Sequence, residues 1–132
     1  MFFNLQEVTK GYKYPTLFLF MFEINSLSHE QKLALLYGIM AGDGCLSFVK
    51  GRNKCISITG SLNDDLPFFD KVVSPLLKYF RGKETNIKYR KSYGAIEFNF
   101  NDMALFDLLS SYGFPIGKKG QKLFIPRVFY EK

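Results

Sequence analysis

A helix that contains glycines and ends in an acid is the most constraining feature of this 132-residue chain. The stretch SHEQKLALLYGIMAGDG begins at Ser28, and Gln31 completes a capping box, so we predict a helix from Ser28 to about Asp43. Each glycine inside a helix costs about 1 kcal/mol relative to alanine. Asp43 stands where unsatisfied carbonyl groups already make the field negative. Such a helix therefore needs a close neighbour along its small residues and a cation at its end.

Small residues recur on this helix at spacings of three and four and predict the close approach of another helix. The stripe and its neighbouring tyrosine are Ala34, Tyr37, Gly38, Ala41 and Gly42. The neighbour is either a second copy of the chain or a segment of the same subunit. If two copies meet, two Asp43 carboxylates and two helix ends converge, and oxygen ligands of this kind favour Mg²⁺ or Ca²⁺. If they do not meet, Asp43 followed by Gly44 is a helix stop.

The apolar spacing after this helix predicts two hairpins that alternate with two further helices. The strand residues expected to face the core are Leu46, Phe48, Ile56, Ile58, Ile87, Tyr89, Ile96, Phe98 and Phe100. The expected N-caps of the second and third helices are Asn63 or Asp64, and Asn101 or Asp102. Pro75 should kink or split the second helix, and Gly113 should end the third.

The element order predicts an α+β fold, α-β-β-α-β-β-α, with a four-stranded antiparallel sheet and its helices on one face. Residues 28–132 form a single domain in this interpretation. Residues 1–27 show no clear period and are treated as an N-terminal extension, with one strand expected at Thr16–Glu23.

The other face of the predicted sheet carries amide, hydroxyl and guanidinium groups, which are the groups that read base edges in a major groove. Its residues are Ser47, Ser57, Thr59, Asn86, Lys88, Arg90, Glu97 and Asn99. More than half of the 18 Lys and Arg residues fall in the segments 50–54, 81–91 and 118–122, in a chain of net charge +6. This concentration favours a polyanionic partner. The alternative is a solvated face between basic loops.

Composition excludes several other classes of protein. Two cysteines without metal-type spacing do not form a disulfide scaffold and favour a reduced, intracellular setting. The longest apolar run, LFLFMF, is far below the roughly 20 residues of a membrane span. We therefore expect no membrane partner and no signal peptide. The many Phe, Lys, Asn, Ile and Tyr residues suggest an AT-rich genome such as that of an organelle.

The nonapeptide LYGIMAGDG resembles the LAGLIDADG motif of homing endonucleases. The later stretch GFPIGKKGQKLFIP is similar to the lysine-bearing segment that follows the last strands in that family. The resemblance covers about residues 28–129, in the matching order of helices and strands. Because only one copy of the motif is present, it implies the homodimeric subclass. In that subclass paired motif helices stand at the dyad, and two sheets form a saddle in the DNA major groove.

The resemblance also implies roles for individual residues. Asp43, with Gly44 beside it, matches the metal-binding acid, and the stripe glycines Gly38 and Gly42 match the helix interface. Lys118 best matches the active-site lysine and Lys119 comes second, whereas Lys122 is expected to contact phosphate. The remaining DNA contacts expected in the hairpin turns are Lys50, Arg52, Asn53, Lys54, Lys91 and Tyr93. The implied metal is Mg²⁺, for which Ca²⁺ or Mn²⁺ can substitute.

Two positions depart from the family pattern. Ala41 replaces the first acid of the motif, at a position where family members vary. Gly60 stands where many members carry a polar residue that orders metal-bound water, with Thr59 or Ser61 as the expected substitute. The sequence therefore predicts a site-specific double-strand DNA endonuclease with a long pseudo-palindromic target. The alternative is an intron RNA maturase, or a DNA-binding protein that does not cut, on the same fold.

Overall fold

The computed structural model describes residues 24–117 together with Pro126 and Phe129. The expected strand at Thr16–Glu23 and the lysines at 118, 119 and 122 lie outside these residues. Within 24–117, helix α1 spans His29–Asp43, and strands β1 and β2 span Gly44–Val49 and Asn53–Ser61. Helix α2 (Leu66–Phe68) continues through a π-helical turn (Phe69–Val73) into α3 (Ser74–Arg81). Strands β3 (Lys88–Arg90) and β4 (Ala95–Asn101) precede helix α4 (Met103–Ser111).

Helix α1 confirms the predicted capping box. The Ser28 side chain accepts a hydrogen bond from the Gln31 amide at 3.1 Å, and the Gln31 side chain accepts one from the Ser28 amide at 2.9 Å. Every residue from Lys32 to Met40 is buried. The helix is therefore enclosed on all sides, and only its two ends reach solvent.

The four strands form one antiparallel sheet in the order β1-β2-β4-β3, which confirms the predicted α+β class. Leu46 lies opposite Ile56, and Ile58 lies opposite Phe98, and all four are fully buried. Phe98 stacks on Phe69 of the π-helical turn with ring centroids 5.2 Å apart. The apolar face of the sheet thus packs against the helices as predicted.

Some details differ from the predictions. Phe48 and Tyr89 are half-exposed, because they lie on the two edge strands, where the helices do not cover them completely. The second helical segment is capped at Asp65, and neither Asn63 nor Asp64 is its N-cap. The Asp65 carboxylate instead accepts a hydrogen bond from the Ser61 amide at 2.7 Å, so it anchors the end of β2.

Pro75 interrupts the α-helical pattern without ending the helix. Proline has no amide hydrogen to donate and cannot continue a regular α-helix without strain. The wider π-helical turn directly before α3 accommodates the proline ring and its missing amide hydrogen. In this turn the Ser74 amide donates to the Phe69 carbonyl five residues back. Helix α4, the third helix of the sequence prediction, begins and ends as predicted: Asp102 caps it, and Gly113, with φ +96°, ends it.

Asp102 joins three parts of the fold. One carboxylate oxygen accepts from the Leu105 amide at 3.0 Å and so caps α4. The other oxygen accepts from Nε of Arg81, at the end of α3, at 3.2 Å. Arg81 is only 7% exposed and also lies over the ring of Phe100, 4.1 Å from its centroid. Arg81 is therefore a structural residue, although it belongs to one of the basic segments.

No helix among the described residues is long and apolar enough to cross a bilayer.

Replacement of Asp102 by alanine should strongly destabilise the protein. Asp102→Ala leaves the buried Arg81 without its carboxylate and removes a helix cap, and together these should cost about 2–4 kcal/mol. Asp107→Ala is the matched control, because its ion pair with Lys54 is partly exposed and should contribute about 1 kcal/mol or less. Urea unfolding of both variants measures the difference. Equal losses would show that the Arg81–Asp102 pair is no more important than a surface ion pair.

Candidate nucleic-acid interface

The strand register brings the predicted polar residues together on the solvent face of the sheet, which we call the outer face. Ser57 of β2 lies opposite Asn99 of β4, and Thr59 lies opposite Glu97. Lys88 of β3 pairs with Glu97 from the other side. Ser47 and Arg90 occupy the same face by alternation. Asn86 is exposed but lies in the loop before β3, outside the strand where it was expected.

The hairpin turns place exposed basic residues at opposite ends of this face. Because β2 and β4 run antiparallel, with Cys55 opposite Asn101 and Ser61 opposite Ala95, the β1-β2 turn and the β3-β4 turn point in opposite directions. The exposed turn residues are Lys50, Arg52 and Asn53 in the first turn, and Lys91 and Tyr93 in the second. Tyr93 is 82% exposed, so its ring is available to a partner.

Lys54 does not belong to this surface. It lies opposite Phe48, on the helix side of the sheet, and its ammonium group pairs with the Asp107 carboxylate at 2.6 Å. It also stands 5.8 Å from the centroid of the Phe106 ring. We therefore remove Lys54 from the predicted DNA contacts. A charge run at a hairpin turn does not reveal which side of the sheet each member occupies.

Arg90 and Glu97 form an ion pair on the outer face. Nε of Arg90 donates to one oxygen of Glu97 at 2.8 Å, and an Nη2 hydrogen bond of 3.4 Å reaches the other oxygen. The Arg90 hydrogen bond holds the pKa of the Glu97 carboxyl below its ordinary value, against the opposing effect of burial. The same interaction raises the pKa of Arg90. The sequence placed both residues on this face, but it did not indicate that they pair.

Asp43 is exposed at the C-terminal end of α1. The Thr59 hydroxyl, from the outer face, donates to the Asp43 backbone carbonyl at 3.5 Å and ties this helix end to β2. Gly44 is buried and pairs with Ile58, so its backbone belongs to the sheet. The predicted metal-binding acid thus lies beside the polar face, at the junction of α1 and β1.

The described residues of one chain do not form a metal site on their own. No group of three or more His, Cys, Asp or Glu side chains could hold an ion within residues 24–117. The Asp43 carboxylate is a suitable ligand for a hard cation such as Mg²⁺. Further ligands would have to come from outside residues 24–117. The donor chemistry of Asp43 therefore fits Mg²⁺, and the described residues supply only part of a coordination sphere.

Gly60 has a packing reason for lacking a side chain. A Cβ atom built there would lie 2.9 Å from the Asp65 carboxylate and 2.9 Å from the buried Phe69 ring. Of the two expected substitutes, Ser61 is engaged locally, because its hydroxyl accepts from the Asp64 amide at 3.4 Å. Thr59 is the one that stands beside Asp43.

The small-residue stripe is largely covered by a single chain. Ala34, Tyr37 and Gly38 are buried. The Tyr37 ring meets Phe114 edge-on at 5.3 Å and lies 5.0 Å from Phe129. Of the predicted dimer-interface residues, these three are therefore core residues of one subunit. The other two, Ala41 and Gly42, are partly buried and exposed, respectively.

The described chain reaches the start of the predicted lysine segment. Ile116 forms a parallel bridge with Leu46, and the Gly117 amide donates to the Leu46 carbonyl at 2.7 Å. The segment therefore starts along the edge of β1 that does not pair with β2. Lys118, Lys119 and Lys122 themselves lie beyond the described residues.

Comparisons of the chain with protein-family models, curated proteins and solved structures gave no match.

Substitution of Gly60 tests the packing explanation. Gly60→Ala should destabilise the fold by about 1–3 kcal/mol, because the new methyl group must displace Asp65 or the tightly packed Phe69. A Phe69→Leu background, which removes the ring, should reduce the cost of Gly60→Ala. Urea unfolding of the two single variants and the double variant measures this coupling. Strict additivity would show that the Phe69 ring does not oppose a side chain at position 60.

The Arg90–Glu97 pair should make stability depend on pH. Because the folded-state pKa of Glu97 is lowered, its contribution is complete above the ordinary value of 4.5 and is lost as the pH falls through the folded-state value. Glu97→Gln lacks this contribution. The difference in unfolding free energy between wild type and Glu97→Gln should be largest near neutral pH and shrink toward about pH 3.

A control variant removes the same charge elsewhere. Glu84→Gln breaks the exposed pair with Lys78 and should change the unfolding free energy little at either pH. Urea unfolding of the wild type and both variants at the two pH values gives the comparison. A Glu97→Gln difference that stays constant, or grows in acid, would contradict the assigned role of the pair.

Proposed function

We propose that the protein is a divalent-metal-dependent, site-specific DNA endonuclease that acts as a homodimer. The observation that carries this proposal is the position of Asp43. An exposed residue, Asp43, stands at the end of a buried helix, beside a sheet face of amide, hydroxyl and guanidinium side chains that has basic turns at both ends. The LAGLIDADG-like nonapeptide, which ends in this aspartate and Gly44, supports the same function.

The outer face would lie in the major groove, where a two-stranded β-ribbon fits. Lys50, Arg52 and Lys91 would contact phosphates at its two ends, and these contacts position the protein without reading sequence. Ser57 and Asn99, which lie opposite each other, would face base edges near the middle. Binding that depends on phosphate contacts should weaken steeply with salt.

Asp43 would hold Mg²⁺ together with the same residue of a second subunit and with phosphate oxygens. A metal bound there supplies Lewis-acid polarisation of a phosphate and a water of lowered pKa. The chain's own contribution is placement. The buried α1 and the Thr59 hydrogen bond fix the helix end against the sheet, so that Asp43 and the outer face keep one relative position. Lys118, with Lys119 as the second choice, would stabilise the charge that develops on the phosphate.

Pairing of two chains would involve Ala41 and Gly42, the stripe residues that a single chain leaves at least partly accessible. A Cβ atom built at Gly42 meets no atom within 4 Å. A second helix can therefore approach closely at this point. Asp43 follows Gly42 directly in each chain, so this contact would bring the two Asp43 residues close together.

The competing function is DNA or RNA binding without cleavage, as in an intron maturase on the same fold. The lack of a polar side chain at Gly60 keeps this alternative open, and a Cβ atom there would point toward Asp65 and the core residue Phe69, away from the outer face. The outer face would serve either function. The many Phe, Lys, Asn, Ile and Tyr residues, which A- and T-rich codons encode, would fit an intron or intein of an organelle under either function.

Replacement of Asp43 separates binding from cleavage. Asp43→Asn should retain sequence-specific DNA binding and lose cleavage by at least about 100-fold, because the amide is a poor ligand for Mg²⁺ and carries no charge. The assay incubates supercoiled plasmid carrying the uninterrupted target with Mg²⁺ and measures linear product. Asp70→Asn, at an exposed position on the π-helical turn, is the control and should cut normally.

The other outcomes distinguish the alternatives. Undiminished cleavage by Asp43→Asn would refute the metal assignment. A wild type that protects a defined site but never linearises the plasmid indicates the non-cleaving alternative. A monomeric mass without any defined footprint would indicate only a generic basic interaction domain.

A further inference from the structure

Four polar side chains on the outer face form one chain of hydrogen bonds across three strands. The Cys55 thiol of β2 donates to Oδ1 of Asn99 on β4 at 3.2 Å. Nδ2 of Asn99 donates to Oε2 of Glu97 at 3.3 Å. Glu97 also accepts the two hydrogen bonds from Arg90 of β3. The carboxylate at the centre of the network thus receives donors from both sides.

Burial differs sharply within this network. Glu97 is only 8% exposed, whereas Arg90 and Asn99 are exposed. Both Glu97 oxygens already accept hydrogen bonds, one from Arg90 alone and the other from Arg90 and Asn99. A carboxylate in this state has little surface and little accepting capacity to offer a base. A direct contact between Glu97 and a cytosine amino group, which a glutamate can make in principle, is therefore disfavoured.

The exposed ends of the network are held in defined orientations. Arg90 meets Glu97 through Nε and Nη2, and the Nη1 edge of its guanidinium lies outside the pair. Two hydrogen bonds hold the Asn99 amide in one orientation. A flip would bring its oxygen against the Glu97 carboxylate and its NH₂ group against the Cys55 thiol, and both bonds would be lost. These are the two side-chain types that recognise guanine and adenine in a bidentate manner. Groups that are already oriented lose less conformational entropy when they bind.

We propose that Glu97 is a positioning residue that orients Arg90 and Asn99 for base recognition and does not read a base itself. This inference rests on the proposed function, since it requires the outer face to meet DNA. It deepens that function by assigning sequence discrimination to Arg90, at the end of the edge strand β3, and to Asn99 in the middle of the face. It also explains an acid on a surface that would bind a polyanion, because the Arg90 charge neutralises Glu97.

Selection of binding sites from a random double-stranded DNA library tests the inference. Wild type, Arg90→Ala, Asn99→Ala and Glu97→Gln are each used for enrichment in Ca²⁺, and the base preferences are compared. Glu97→Gln should lose preference by about tenfold at the base pairs that Arg90→Ala or Asn99→Ala also relax. Glu84→Gln removes the same charge at an exposed position and should leave every preference unchanged.

A second variant covers the case in which Glu97→Gln does not fold. Glu97→Asp keeps the charge but withdraws the carboxylate from Arg90 and Asn99, so it should relax the same base pairs. Far-UV circular dichroism of each variant confirms that the compared proteins are folded. A general loss of affinity without a change in preference would show a merely structural role and would overturn the inference.

The outcomes separate this inference from the proposed function. A wild type that enriches no sequence overturns the proposed function and this inference with it. If the wild type enriches a site but Glu97→Gln and Glu97→Asp keep all its preferences, only the inference fails. It also fails alone if the Glu97 variants relax a base pair that neither Arg90→Ala nor Asn99→Ala affects, since Glu97 would then read that base itself.

Discussion

The burial of helix α1 is the constraint on which the rest of the structure depends. Its residues from Lys32 to Met40 are all buried, so the helix cannot rotate or slide without disturbing packing on every side. The chain then passes from Asp43 into β1 without a connecting loop. A Cβ atom at Gly44 would come within 2.5 Å of the Met40 sulfur, so this direct passage requires glycine. The position of the helix therefore fixes both the first strand of the sheet and the location of Asp43.

The fold divides the basic residues into two groups that composition does not separate. Arg81 is buried against Asp102 and Phe100, Lys54 pairs with Asp107, and Lys32 lies over the Tyr79 ring at 3.9 Å. These cations stabilise contacts between elements within the chain. Lys50 and Arg52 in one turn and Lys91 in the other are exposed. Exposed cations such as these would contribute most to the field that a polyanion meets.

The periodic elements could be predicted because each depends on local residues. The Ser28 and Gln31 cap, the alternation around Ile56 and Ile58, and the Gly113 helix end all appear where short-range chemistry places them. What depends on distant partners could not be predicted. Glu97 and Arg90 pair because β3 lies beside β4, and Asp65 caps the second helical segment while its side chain binds back to β2.

The small-residue stripe shows the same limit. A spacing of three and four residues indicates that something approaches the helix closely, but it carries no information about which chain supplies it. Tyr37 flanks that stripe, and its ring is covered by Phe114 and Phe129 of its own chain, the second of which lies more than 90 residues away. A motif resemblance can place a residue at an interface that packing within the subunit already occupies.

Recognition and cleavage would place different demands on this architecture. The hydrogen-bond network of the outer face is complete within one chain, with Glu97 buried beneath its exposed partners. Within residues 24–117, by contrast, no group of three or more acidic, histidine or cysteine side chains comes together around Asp43 to hold a metal. Under the proposed function, specific binding would therefore persist through changes that abolish cutting, whereas cutting would require a second subunit and a correctly placed phosphate. A nuclease built as proposed would therefore remain a binding protein after losing cleavage, without any change to its sheet.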